Sequence, residues 1–411
     1  MAIVLPFKAV RPKMEFAKDI AAPPYDVVNS EEARELAKGN DKSYLHISRP
    51  EIDLDTKIDE HADQVYDQGK VNYHKFLKNG WLFQDAKPCF YIYKQVMGGH
   101  QQIGLVAVAS AEDYDQGVIK KHEHTRPDKE DDRTRHISTI DANTEPVFFT
   151  YPAVPAIDSL VNDWIKKAPE YDFTSDDGVK HTLWVCDDDK IIGSLKAEFS
   201  KLKFMYVADG HHRSAAAWRL WKERKAKNPK HTGNEEYNFF LTVIFPDNQM
   251  NIMAYNRVVK DLNGNSKEEF LKKIGQKFTV TEQAPDVPGA NLKFSMYLDG
   301  KWYLLTAKVG SFDQKDPVKR LDASILQDNL LQPVLGIENP RTDKRIGFVG
   351  GIRGTKELVK LVDFGKYAVA FSLHPVNINQ LISVADSGQV MPPKSTWFEP
   401  KLRSGLFVHQ Y

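Results

Sequence analysis

An apolar tetrapeptide, Phe204-Met205-Tyr206-Val207, runs directly into Ala208-Asp209-Gly210-His211-His212-Arg213-Ser214 and then into an alanine-rich stretch. No other part of the chain constrains its folding as tightly. The tetrapeptide reads as a buried strand. Residues 215–226 are rich in Ala, Leu, Lys, Arg and Glu, which predicts a helix. An acid, a glycine, two imidazoles and a guanidinium therefore stand at a strand-to-helix corner. The first turn of a helix carries amide groups without internal acceptors and a partial positive charge. With His211, His212 and Arg213 beside it, such a corner suits an anion, above all a phosphate. The plainer alternative is a capped helix with a histidine pair in a polar core. Five consecutive polar or special residues at one corner argue against it.

The remaining sequence sets the context. A chain of 411 residues is long enough for two or three domains. Lys plus Arg and Asp plus Glu number 56 each, so no net field draws the chain to nucleic acid or anionic lipid. Cys89 and Cys186 are too few for a disulfide framework or a zinc module, and both read as buried thiols. The N-terminal apolar stretch is too short for a signal peptide, and no run of about 18 apolar residues predicts a membrane span. The expectation is a soluble cytoplasmic protein without nucleic-acid or membrane partners, its oligomeric state left open.

Read along its length, the chain predicts a mixed α+β (α/β) fold. Ser30 is placed to cap a helix over 31–37, and a longer helix is expected over 59–78. Residues 89–96 and 103–109 read as paired strands, 147–151 and 182–186 as further strands, and 158–167 as a helix. The stretch 112–145 is so rich in paired charges that it reads as surface. In the last third the pattern predicts a helix over 266–278, a hairpin around Asp299-Gly300, a helix over 321–331, a strand at 346–349, a helix over 355–362 and a strand over 367–373. Boundaries are placed near 110 and 262. They divide the chain into an N-terminal α/β region (1–110), a core (111–262) and a C-terminal α/β region (263–411).

Further constellations carry chemistry. Residues 120–133 hold Glu123 between His122 and His124, with Arg126, Lys129 and Arg133 close by. This pattern offers a general base and cations for phosphoryl oxygens. The alternative is a solvated, salt-bridged helix face. The His-x-His spacing alone is weak evidence for a metal, and none is assigned. In the C-terminal third, Gly350, Gly351 and Arg353 lie in a glycine-rich turn between a strand and a helix, which lets backbone amides approach a phosphate. Lys394, Ser395 and Thr396, in a loop with three prolines and two aromatics, are candidates to meet a ligand. A tight turn and a packed terminal segment are the plainer readings. Tyr25 and Asp26, in Ala21-Ala22-Pro23-Pro24-Tyr25-Asp26, read as structural. There is no Gly-x-Ser-x-Gly elbow, no Cys-x5-Arg loop, no Asp-x-Asp-x-Thr/Val start and no Gly-x-Gly-x-x-Gly loop.

Asp209-Gly210-His211-His212-Arg213, with His122-Glu123 ahead of it, resembles the free-serine-kinase branch of the ParB/sulfiredoxin superfamily over about residues 112–225. Over its whole length the chain resembles the DUF1015 family. The resemblance is carried by LPFKAVRP, AAPPYDVV, KKHEHTRPDKEDDR, ADGHHRSAAA, YNRVVKDLNG, FVGGIRG and MPPKSTWFEPKLRSGLF. It implies a ParB/sulfiredoxin-like core with α/β extensions on either side. It also implies phosphoryl transfer on L-serine or O-phospho-L-serine, as a kinase or run towards serine, with Mg²⁺ and ADP or ATP as cofactors. On that footing Glu123 serves the serine hydroxyl as acid or base, with His122 and Asp209 as further catalytic groups. His211, His212, Arg213, Arg126 and Lys129 take the phosphate. Two alternatives stand beside it: a metal-dependent hydrolase using His122, His124, His211 and His212, and a ParB-like nucleotide-binding switch.

Overall fold

Val, Ile, Phe and Tyr dominate the runs that become strands in the first 250 residues. In the computed structural model, which describes residues 1–411, these are β1 (Val4–Leu5), β2 (Phe90–Met97), β3 (His100–Ser110), β4 (Ile119–Lys120), β5 (Val147–Tyr151), β6 (Tyr171–Thr174), β7 (Lys180–Cys186), β8 (Met205–Asp209) and β9 (Phe239–Pro246). They form a nine-stranded sheet in the order β4-β8-β5-β9-β3-β2-β7-β6, with β1 along β3. The sheet is mixed: β4 with β8 and β5 with β9 run parallel, and the other pairs antiparallel. The chain is thus a mixed α/β protein built on a large mixed sheet.

This sheet belongs to a compact unit made of Met1–Met250 and Pro400–Tyr411. Its helices include α1 (Ser30–Ala37), α2 (Asp63–Lys78), α3 (Pro127–Ile140) and α4 (His211–Lys227). Leu220 and Trp221 of α4 bury with Leu105, Phe149, Val207 and Phe240 of the sheet. Three expectations change. Asn29, not Ser30, caps α1: its side chain accepts from the Glu32 amide while Glu32 accepts from the Asn29 amide. Ser30 is already helical and its hydroxyl donates to Glu51 at 2.8 Å. Second, α2 begins at Asp63 rather than at 59.

The third change is larger. The 112–145 stretch is not all surface, since Asp132, Arg133, His136 and Glu145 are buried. They are tolerated because they satisfy one another or nearby groups. Asp132 accepts from Arg133 Nε and from the Tyr66 hydroxyl, both at 2.8 Å. Glu145 accepts from the Tyr25 amide at 3.0 Å and from Ser404 Oγ at 2.8 Å. The Arg133 guanidinium lies 4.0 Å from the centre of the Tyr25 ring. Both cysteines are free and buried, and burial pushes their thiols up to about 11 (Cys89) and about 12 (Cys186).

The second unit, Asn251–Glu399, has its own six-stranded antiparallel sheet. Its strands are β10 (Tyr255–Val259), β11 (Phe278–Glu282), β12 (Lys293–Leu298), β13 (Lys301–Ala307), β14 (Ile346–Gly350) and β15 (Val369–Leu373), in the order β11-β13-β12-β15-β10-β14. Helices α5 (Lys267–Ile274), α6 (Asp322–Leu326), α7 (Gly354–Asp363) and α8 (Ile378–Asp386) accompany it. The expected helix over 266–278 stops early, and Phe278 starts β11 instead. The expected helix over 321–331 is α6 followed by a π-helical turn, Gln327–Leu331. Phe270, Phe294, Leu305, Leu326, Leu330 and Phe371 make its core. No helix of either unit is long and apolar enough to cross a membrane.

Candidate functional site

β8 delivers the corner. Its register against β5 shifts between Val207 and Asp209, a bulge that re-aims the strand end. Gly210 then takes φ +91°, and a Cβ there would stand 3.1 Å from the Arg213 guanidinium. Only glycine meets both conditions cheaply. The helix starts one residue later, so His211, His212 and Arg213 are its first three residues. Their amides have no acceptor inside the helix.

The 122–126 segment meets this corner. Glu123 Oε2 lies 3.8 Å from His211 Nδ1, a contact too long for a hydrogen bond, with the glutamate side chain 31% exposed. The Arg126 amide donates to His212 Nε2 at 3.2 Å. That bond leaves the proton of a neutral His212 on Nδ1. The His122 and His211 rings pack edge to face, with centroids 4.4 Å apart. Both are buried, and burial pulls each down to about 3. Both are therefore neutral imidazoles at neutral pH. His211 Nε2 is buried without a hydrogen-bond partner, and neither His122 nitrogen makes a well-formed bond.

The charged members are neutralised within the corner. Asp209 lies 3.4 Å from Arg213 Nη2 and 3.5 Å from Lys401 Nζ. Arg213 is buried, donates to the Pro146 carbonyl and also faces Asp26 at 3.9 Å. Its positive charge is thus met by carboxylates before any ligand arrives, and those carboxylates hold its guanidinium above its ordinary range despite burial. Lys401 is the residue that sequence reasoning missed. It sits in the C-terminal stretch that returns to the first unit, and nothing in the sequence links it to position 209. Glu145, buried below Tyr25, was also missed.

The remaining candidates contribute no buried side chain to the corner, and Ser395, which is buried, belongs to the second unit. Arg126 is exposed and pairs with Asp128 through two bonds, at 3.2 and 2.6 Å. Lys129 lines a small cavity with Arg49, Glu60 and His61. His124 is exposed. No group of three or more His, Cys, Asp or Glu side chains converges as a metal site. Gly350, Gly351, Arg353, Lys394, Ser395 and Thr396 belong to the second unit. A Cβ at Gly350 would stand 2.9 Å from the Trp397 ring, and one at Gly351 would stand 2.7 Å from the Ala254 carbonyl oxygen. Close packing accounts for these glycines without a ligand. Ser395 is buried and donates to the Pro392 carbonyl at 2.7 Å. Lys394 and Arg353 are exposed and Thr396 is half-buried.

Solved structures resemble the chain loosely. Free serine kinase in complex with AMP is 11% identical, with 74% of this chain and 91% of that one covered and a TM-score of 0.37. A conserved hypothetical protein from Pyrococcus furiosus is 12% identical over 74% and 94%, with a TM-score of 0.36. SbnI with a C-terminal truncation, from Staphylococcus aureus, is 12% identical over 74% and 86%, with a TM-score of 0.37. Likeness at this level assigns no residue and no activity here. No curated protein matches the sequence. The family model described as "Protein of unknown function (DUF1015)" matches residues 4–324. That match spans most of the sequence, and the chain belongs to the DUF1015 family.

Proposed function

We propose that the first unit is a ParB/sulfiredoxin-like phosphoryl-transfer enzyme acting on L-serine or O-phospho-L-serine. The observation that supports it most is the meeting of Glu123 and His211, 3.8 Å apart, at the first turn of α4. A carboxylate with access to solvent thus stands beside a helix N-terminus suited to a phosphate. In this reading the phosphoryl oxygens take the amides of α4, the Nδ1–H of His212 and the exposed guanidinium of Arg126.

In the phosphorylating direction the seryl hydroxyl oxygen attacks phosphorus, its proton passes to Glu123, and the bond to the donor oxygen breaks. In the reverse direction that proton returns to the leaving seryl oxygen, and the acceptor is ADP or water. Neutral His211 stands beside Glu123, with His122 packed behind it. Arg213 shapes the corner through Asp209 and Pro146 and does not itself reach the phosphate. Positioning and charge stabilisation supply most of the catalysis in such transfers. A single oxyanion contact contributes about 2.7–4 kcal/mol.

The corner fits Mg²⁺ poorly. Asp209 already faces two cations, Lys401 and Arg213. Incubation with phosphoserine, with and without ADP and Mg²⁺, tests the reading. Serine with ATP marks a kinase run backwards, and serine with free phosphate marks a phosphatase. Release of no serine under either condition, together with no phosphorylation of serine by ATP, overturns it.

A further inference from the structure

The second unit carries an open, solvent-facing cleft of about 510 Å³, a volume within the range of small-molecule sites. Arg320, Asn377 and Gln380 line it, with Phe312 and Leu292 as its apolar wall. Three further carboxamide side chains complete the lining, and no Asp or Glu is among them.

The lining is biased towards donors. Asn377 Oδ1 accepts from the Gln380 amide at 2.9 Å, and Gln380 Oε1 accepts from the Asn377 amide at 3.0 Å. Both carboxamide oxygens are committed to this reciprocal cap, which leaves an NH₂ donor on each. Arg320 is half-buried and donates from Nη2 to Ser383 Oγ at 3.2 Å, with no carboxylate in ion-pair range. Arg345 of the same unit shows the usual arrangement, paired with both Asp261 and Asp343. A half-buried guanidinium without a counter-ion favours an anion beside it.

The apolar wall is held in a costly conformation. Leu292 has φ +68°, a left-handed backbone that a bulky residue adopts only where its surroundings impose it. Its amide is pinned at 2.9 Å by Oδ1 of Asp322, a buried carboxyl.

We propose that this cavity binds a small organic anion. One carboxylate or phosphate group sits on Arg320 and the NH₂ donors of Asn377 and Gln380, and the apolar part of the ligand lies against Phe312 and Leu292. The ligand is not tied to the phosphoryl-transfer reading of the first unit.

Phenyl phosphate, benzoate and benzamide share one ring and differ in the group it carries. Each is titrated calorimetrically into the full chain in buffer free of other small anions. At least one of the two anions binds with millimolar or tighter affinity, and neutral benzamide binds at least tenfold more weakly. Which anion binds better separates a phosphate ligand from a carboxylate ligand. Arg320→Gln weakens binding at least tenfold, and Arg320→Lys weakens it less. The same binding persists in His212→Ala, which separates it from any phosphate seat in the first unit. If Arg320→Gln melts below the wild type, Phe312→Ala carries the test, with a severalfold loss expected for the aromatic anions. Absence of anion binding, binding unchanged in the Arg320 and Phe312 variants, or binding lost with His212 overturns the proposal.

Discussion

At the scale of single residues, the corner depends on Gly210 and on histidines kept neutral. Gly210→Ala places an L residue at φ +91° and pushes its Cβ against Arg213. A left-handed backbone costs an L residue roughly 1–2 kcal/mol. Urea denaturation should show at least that loss, and an unchanged midpoint would mean that the corner relaxes freely. The motif Asp-Gly-His-His-Arg was legible as a strand-to-helix corner because its residue types serve no ordinary packing purpose. The division of labour inside it was not legible. Arg213 reads from sequence as a phosphate ligand, yet it is buried and paired with Asp209 and Asp26. Burial, and a partner as distant along the chain as Asp26, leave no mark on local spacing.

At the scale of elements, local signals were legible where local chemistry decides. The Asp299-Gly300 turn was readable because both residues take positive φ, +51° and +74°, as a two-residue hairpin turn of this kind requires. The α1 cap was misread by one residue because Asn29 and Ser30 are both good caps, and only the reciprocal bond with Glu32 distinguishes them. Asn29→Ala should cost about 1 kcal/mol in a chemical denaturation series. A loss below a few tenths would show that α1 is held by packing alone. Helix α3 was the larger failure. Its charges read as solvated, but Asp132, Arg133 and His136 are buried against partners outside the helix, among them Tyr66, Tyr25 and the Ile47 carbonyl. No periodicity in α3 itself announces that.

At the scale of the whole molecule, the return of Pro400–Tyr411 to the first unit had no signature in sequence, and it brings Lys401 to Asp209. Buried titratable groups also shape the response to pH. In the first, His122, His136, His181 and His211 are each drawn down to about 3 by burial. An unfolded histidine titrates near 6.5. As pH falls from 6.5 towards 3 the unfolded chain takes up protons that the folded unit refuses, so stability is full above 6.5 and lost on the way down. In the second unit, burial pushes Asp322 up to about 7. Its contribution has the opposite sign: it is present at acid pH and fades as pH rises from about 3.8 to 7. Urea melts at pH 7.5, 5.5 and 4.5 should therefore show the transition of the first unit moving to lower urea on acidification. A midpoint indifferent to pH would contradict neutral burial of these four imidazoles.

The role of Glu123 is tested most directly by Glu123→Gln, assayed for phosphoserine turnover and for phosphoserine binding in parallel. Removing its proton-transfer function while keeping its shape should lower turnover by about 10²–10⁴-fold and leave the dissociation constant within a few-fold of the wild type. Full activity in Glu123→Gln would contradict the central claim that this carboxylate, set beside His211 at the start of α4, moves the proton in the phosphoryl-transfer step.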